Sequence, residues 1–123
     1  MAKTVLIIDD SPSLRQVVLA TLQMSGYEVV EAENGQKAFD ALASGVKPHL
    51  IICDVHMPVM GGIEFVTKLK QVNEYRFLPV IMLTTEFDEE MKLKGQMAGA
   101  KSWLVKPFRP DLILKAVQKL ILA

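Results

Sequence analysis

Three aspartates, a pair of threonines and a lysine stand directly after apolar runs. Asp9 and Asp10 follow "TVLII" (4–8), Asp54 follows "LIIC" (50–53), Thr84 and Thr85 follow "PVIML" (79–83), and Lys106 follows "SWLV" (102–105). Adjacent carboxylates at the mouth of an apolar core repel each other and resist burial, so Asp9 and Asp10 ask for a cation. Two or three carboxylates at oxygen-ligand distance suit a hard divalent ion that keeps several waters, which describes Mg²⁺ better than Zn²⁺. One cysteine and two histidines, His49 and His56, offer no zinc-ligand spacing. An ion held by so few carboxylates shares its sphere with phosphate. A Lys and a Thr opposite are then suited to the remaining phosphoryl oxygens. Asp54 is the carboxylate that stands alone, which makes it the candidate nucleophile of an aspartyl phosphate.

Each residue also has a bland role. Asp10 can cap a helix, Asp54 can sit in a turn, Thr84 can end a strand and Lys106 can form a surface ion pair. What favours a site is that all of them fall at the same kind of place in the chain.

That place is set by the elements. The runs at 4–8, 27–32 ("YEVVEA"), 50–53, 79–83 and 102–105 are short, and three show no polar alternation, as in strands of a parallel sheet covered on both faces. Between them lie segments of helical spacing. After Asp10, Leu14, Val17, Val18, Thr21 and Leu22 share one face, with Ser11 as N-cap, Pro12 at the first helical position and Gly26 as the stop. Further helices are expected at 35–45, 62–72, 88–99 and 109–122. The fourth helix contains Gly95, at a cost of about 1 kcal/mol relative to Ala. Strict alternation of strand and helix gives a doubly wound α/β fold, a (βα)₅ chain with a five-stranded parallel sheet. Ligands of such sheets bind beyond the carboxyl ends of the strands, which is where the polar cluster falls.

Composition narrows the function. The chain has 123 residues, 50% of them hydrophobic and 23% charged, which fits one globular domain and excludes intrinsic disorder. Fourteen basic and fourteen acidic residues cancel, so no net field favours a nucleic acid. No apolar run has the length of a membrane span, no signal-peptide pattern opens the chain, and a lone Cys53 forms no internal disulfide. A cytoplasmic protein without membrane insertion is expected. Cys53 reads as a buried core thiol, His49 as structural, and Met57, Met60, Met82, Met91 and Met97 as packing residues.

Four motifs in fixed order carry a resemblance: "LIIDDSPSLR", "DVHMPVMGG" (54–62), "PVIMLTTE" (79–86) and "AGAKSWLVKPF" (98–108). The chain resembles a response-regulator receiver domain of the single-domain chemotaxis (CheY-like) type, and residues 1–123 are read as one such domain. The resemblance implies the flavodoxin-like strand order 2-1-3-4-5. It implies Asp54 as phosphoacceptor, with Mg²⁺ on Asp9, Asp10, Asp54 and the backbone carbonyl of His56. Thr84 becomes the switch hydroxyl, Lys106 the phosphoryl contact and Trp103 the switch aromatic, with a cis peptide at Lys106–Pro107. A histidine kinase is the implied phosphodonor. The implied listener is a downstream protein such as a flagellar motor switch component, meeting the face of the fourth helix, fifth strand and fifth helix, where Lys92, Lys94 and Lys101 lie nearby. A phosphatase is a further implied partner. The resemblance further implies a phosphoacceptor that assists its own phosphoryl transfer and autodephosphorylation, and not an enzyme in the turnover sense.

The sequence departs from the family pattern at three places. His56 brings an imidazole beside the phosphoryl pocket, Gly61 stands where Asp or Asn commonly caps the next helix, and Trp103 is larger than the usual switch aromatic. Burying that indole needs a bigger cavity, so its swing is expected to be restricted or its resting position shifted outward. Other functions fit less well. A haloacid-dehalogenase phosphatase requires a second Asp two residues after its nucleophile, where this chain has His56. A flavodoxin-like FMN binder requires a Ser/Thr/Gly-rich first loop, where Asp9 and Asp10 would repel the phosphate. A phosphate sink, a phosphorelay receiver and the receiver fragment of a DNA-binding regulator are the alternatives within the family; "MAKTVLII" favours a free-standing protein.

Overall fold

Alternating apolar runs and amphipathic segments form a five-stranded sheet and five helices among the described residues of the computed structural model, which are 3–84, 89–105 and 109–121. The side chains of Thr84 and Met91 lie outside that description. The strands are β1 (Thr4–Ile8), β2 (Glu28–Ala32), β3 (Leu50–Asp54), β4 (Val80–Thr84) and β5 (Ser102–Val105). The helices are α1 (Pro12–Met24), α2 (Gly35–Ala43), α3 (Gly62–Lys70), α4 (Glu89–Ala98) and α5 (Pro110–Leu120). All neighbouring strands are parallel, in the order β2-β1-β3-β4-β5. The expected doubly wound, flavodoxin-like architecture is the observed one.

Alternate residues of the central strands feed two separate cores. Val5, Ile7, Leu50, Ile52, Ile81 and Leu83 pack with Val18 and Leu22 of α1 and Ile113 and Val117 of α5. Leu6, Ile8, Ile51, Cys53, Val80 and Met82 face the other way, onto Ala38 of α2 and Phe65 and Leu69 of α3. A strand buried on both faces has no polar side to show, which is why these runs read as unbroken grease.

Helix ends explain the small departures from expectation. Ser11 accepts from the Leu14 N–H as N-cap of α1, and Pro12 opens the helix. At the far end Gly26, at φ +91°, donates to the Gln23 carbonyl while the Tyr27 N–H donates to Leu22, a Schellman closure. Within α1 the buried stripe is Val18 and Leu22, whereas Val17 is 44% exposed and lies off the expected face. The second, third, fourth and fifth helices are shorter than the spacing suggests, ending at Ala43, Lys70, Ala98 and Leu120. Beyond α3 the chain tightens into a 3₁₀ turn at Asn73–Tyr75, and Lys70 Nζ donates to the carbonyls of Tyr75, Arg76 and Leu78 to fold that loop onto the helix. His49 is structural as expected: its Nδ1 accepts the Thr4 N–H at 3.0 Å.

Candidate metal centre

Pairing Ile8 of β1 with Cys53 of β3 sets the two central strands level, so Asp9 emerges beside Asp54 at the carboxyl edge of the sheet. Asp9, Asp10 and Asp54 each offer a carboxylate oxygen within 4.8 Å of the others. Asp9 is 2% exposed and Asp54 6%, while Asp10 faces solvent. Two buried carboxylates converging with a third form a hard, oxygen-only donor set. Such a set matches Mg²⁺ and leaves coordination positions for water or phosphate.

Local hydrogen bonds aim these side chains. Asp9 Oδ1 accepts the Ser11 N–H at 2.9 Å, and the Asp9 N–H donates to the Ala32 carbonyl of β2 at 3.1 Å. Asp54 Oδ1 accepts the Val55 N–H at 2.9 Å. The negative field reaches Cys53, whose thiol is pushed well above its ordinary pKa first by complete burial and then by the charges of Asp54 and Asp9. Cys53 is a buried, protonated core residue, as its sequence suggests.

The loop after Asp54 is held tightly. A Cβ on Gly62 would lie 2.1 Å from the Asp54 carbonyl oxygen, so only glycine lets α3 start this close to the strand. Gly61 caps α3 without a side-chain bond, and the Gly62 N–H donates to the Val55 carbonyl instead. Between them Val59 adopts φ +69° while the Met60 N–H bonds the Pro58 carbonyl at 2.7 Å, a γ-turn unusual for a β-branched residue. Buried Met60 anchors the loop, its carbonyl accepting the Gly35 N–H of α2 at 3.2 Å. His56 is exposed on this loop.

Trp103 is half-buried on β5 and packs against the core that α3 lines. Its indole Nε1 is buried without a hydrogen-bond partner among the described residues. Gly95 of α4 makes the room: a Cβ there would sit 2.5 Å from the Trp103 ring. The bigger cavity that the indole requires is thus taken out of the helix. The apparent flaw in the fourth helical segment has this packing reason. Leu93 and Met97 on α4, Val105 on β5 and Leu112 on α5 leave apolar side chains exposed across that face, so Met97 is not the packing residue its type suggested.

The structure brings Asp9, Asp10 and Asp54 together and carries the Thr84 backbone to the same edge, in register with Val105. Lys106, Pro107 and Thr85 lie outside the described residues, as does the Thr84 side chain. What sequence reasoning missed is Arg15. Its Nε meets Glu31 Oε1 at 3.1 Å, and its Nη1 donates to the Asp9 carbonyl. The second strand thereby contributes Glu31 to this edge. An Arg seven residues after a strand gives no sign of this unless the helix it rides on is docked first.

Comparison with known proteins agrees with this geometry. The family model for the response regulator receiver domain matches residues 5–118. Over 114 residues the chain is 34% identical to chemotaxis protein CheY1 of Helicobacter pylori, covering 92% of each. It is 40% identical over 120 residues to the phosphate regulon transcriptional regulatory protein PhoB of Pseudomonas aeruginosa, but spans only 52% of that protein's length. Among solved structures, chemotaxis response regulator CheY4 of Vibrio cholerae superposes with a TM-score of 0.90 at 47% identity, covering 98% of this chain and 99% of that one. With the fold, the strand order and the acidic edge in agreement, the chain belongs to the family of response regulator receiver domains.

Proposed function

We propose that this receiver domain is a phosphorylation-dependent switch in which Asp54 accepts a phosphoryl group from a phosphohistidine on a histidine kinase. The observation that carries the reading is the convergence of three carboxylates, two of them buried, on the edge where Asp54 ends β3. Asp9, Asp10, Asp54 and the His56 carbonyl hold Mg²⁺, which when bound neutralises charge on the phosphoryl oxygens. The Asp54 carboxylate attacks phosphorus in line as the bond to the kinase imidazole breaks. Lys106 contacts the transferred group, and the Thr84 hydroxyl follows it. Trp103 couples that movement to the exposed apolar face of α4, β5 and α5, which a partner reads by its differential affinity for the two states.

Receiver domains are signalling switches rather than turnover enzymes. The likeness to chemotaxis proteins supports a chemotaxis pathway; in this reading the listener is a flagellar motor switch component and a phosphatase ends the signal. A second reading, the receiver part of a transcriptional regulator, rests on the similarity to PhoB over half its length. Incubation with a labelled acyl phosphate and Mg²⁺ is expected to label the wild type and not Asp54→Asn. Retained label on the variant would sink the assignment of Asp54. Tighter binding of the labelled protein to a motor-switch peptide selects the first listener, and phosphorylation-driven dimerisation without peptide binding selects the second.

A further inference from the structure

We propose that Arg15 is a positioning residue for the metal-binding aspartates, with Glu31 as its counter-charge; this rests on reading Asp9, Asp10 and Asp54 as the cation site. Both backbone groups of Asp9 are held. Its N–H donates to Ala32 of β2, and its carbonyl accepts from Arg15 Nη1. That carbonyl belongs to the peptide linking Asp9 to Asp10, so the guanidinium fixes the backbone torsions that aim the exposed Asp10 carboxylate. Ser11 restrains the other side of the turn, donating its N–H to Asp9 Oδ1. A planar fork suits this task, because one guanidinium satisfies a carbonyl and a carboxylate in fixed directions.

Charge alone would argue against an arginine here. A guanidinium next to a cation site repels the cation, and the Arg15 side chain is 17% exposed, so water screens it only partly. Glu31 removes most of that penalty by pairing with Nε at 3.1 Å. The pair therefore contributes orientation with almost no net charge. It also ties three elements together at the acidic edge: α1 through Arg15, the end of β1 through Asp9, and β2 through Glu31. Glu33 and Lys37 line the same recess, and no hydrogen bond or ion pair joins Glu33 to Arg15.

Positioning and through-space electrostatics predict opposite signs. Removing the positive charge by Arg15→Gln tightens Mg²⁺ binding if charge is all that matters, and weakens it if orientation matters. Titration calorimetry of the whole chain with MgCl₂ is expected to show Arg15→Gln and Arg15→Lys each binding about tenfold more weakly, the range typical for partners that orient ligands. Glu31→Gln is expected to weaken binding as well, whereas Glu33→Gln, which leaves the clamp intact, changes it less than twofold. Far-UV circular dichroism and a urea midpoint without Mg²⁺ identify folded variants, and Arg15→Lys carries the comparison if Arg15→Gln does not fold. Mg²⁺ binding as tight as wild type in both Arg15 variants, with binding lost in Asp10→Asn, overturns the positioning role alone. Unchanged binding in Asp10→Asn overturns the metal site itself and the role of Arg15 with it.

Discussion

A buried thiol one residue before a carboxylate is an unusual neighbour, and Cys53 shows how far the acidic edge reaches into the core. Burial raises its pKa most, and the Asp54 and Asp9 charges raise it further. In the unfolded chain the thiol ionises near about pH 8.5. Above that value the unfolded state binds fewer protons at this position than the folded one, so stability falls as pH rises, by at most about 1.4 kcal/mol per unit from this group. The stability contribution is complete below the unfolded pKa. Urea midpoints between pH 8 and pH 10 are expected to fall more steeply for the wild type than for Cys53→Ala; equal slopes would remove the effect. Gly62 and Val59 belong to the same scale. One is a glycine because the Asp54 carbonyl leaves no space, and the other keeps a left-handed backbone that a β-branched residue resists.

Among the elements, α4 and β5 are the pair whose fit depends on an exchange. Gly95 weakens the helix by about 1 kcal/mol relative to Ala, yet its missing Cβ admits the Trp103 ring. Gly95→Ala is therefore expected to destabilise the wild type by about 1–3 kcal/mol through overpacking, and to stabilise a Trp103→Ala background by about 1 kcal/mol. A sign that does not reverse in this double-mutant cycle, read from urea unfolding, would separate the two residues. The elements themselves were largely legible in the sequence, because doubly buried strands and amphipathic helices have distinct periods. The cap at Ser11, Pro12 and the stop at Gly26 were legible for the same local reason. Helix ends at Ala43 and Lys70 were not, since the residue that closes each helix, Ser44 or Gln71, still has a helical backbone and nothing in its type marks the stop. Nor was the role of Gly95, which needs β5 in place before its cost makes sense.

Over the whole molecule, equal numbers of acids and bases hide a cluster of three carboxylates at one edge of the sheet. Asp9, Asp10 and Asp54 could be assigned to that edge from sequence because each follows a strand, and strand ends in a parallel sheet share one side. Arg15 and Glu31 could not, since a helix residue and a strand residue meet only after α1 docks. A cation that binds only the folded state adds to its stability by mass action. At a hundredfold excess over its dissociation constant, Mg²⁺ is expected to stabilise the wild type by about 2.7 kcal/mol. Chelation with EDTA is expected to reverse the shift, and Asp10→Asn to show little of it. An equal shift with K⁺ at matched ionic strength would reduce the effect to screening. Trp103 lends such experiments an advantage of another kind. It is the chain's one tryptophan, with its indole N–H shielded from water and without a hydrogen-bond partner among the described residues, beside the helix that borders the exposed apolar face. The colour of its emitted light belongs to that single position, so a rearrangement of α4 over β5 can be followed in real time without attaching a dye.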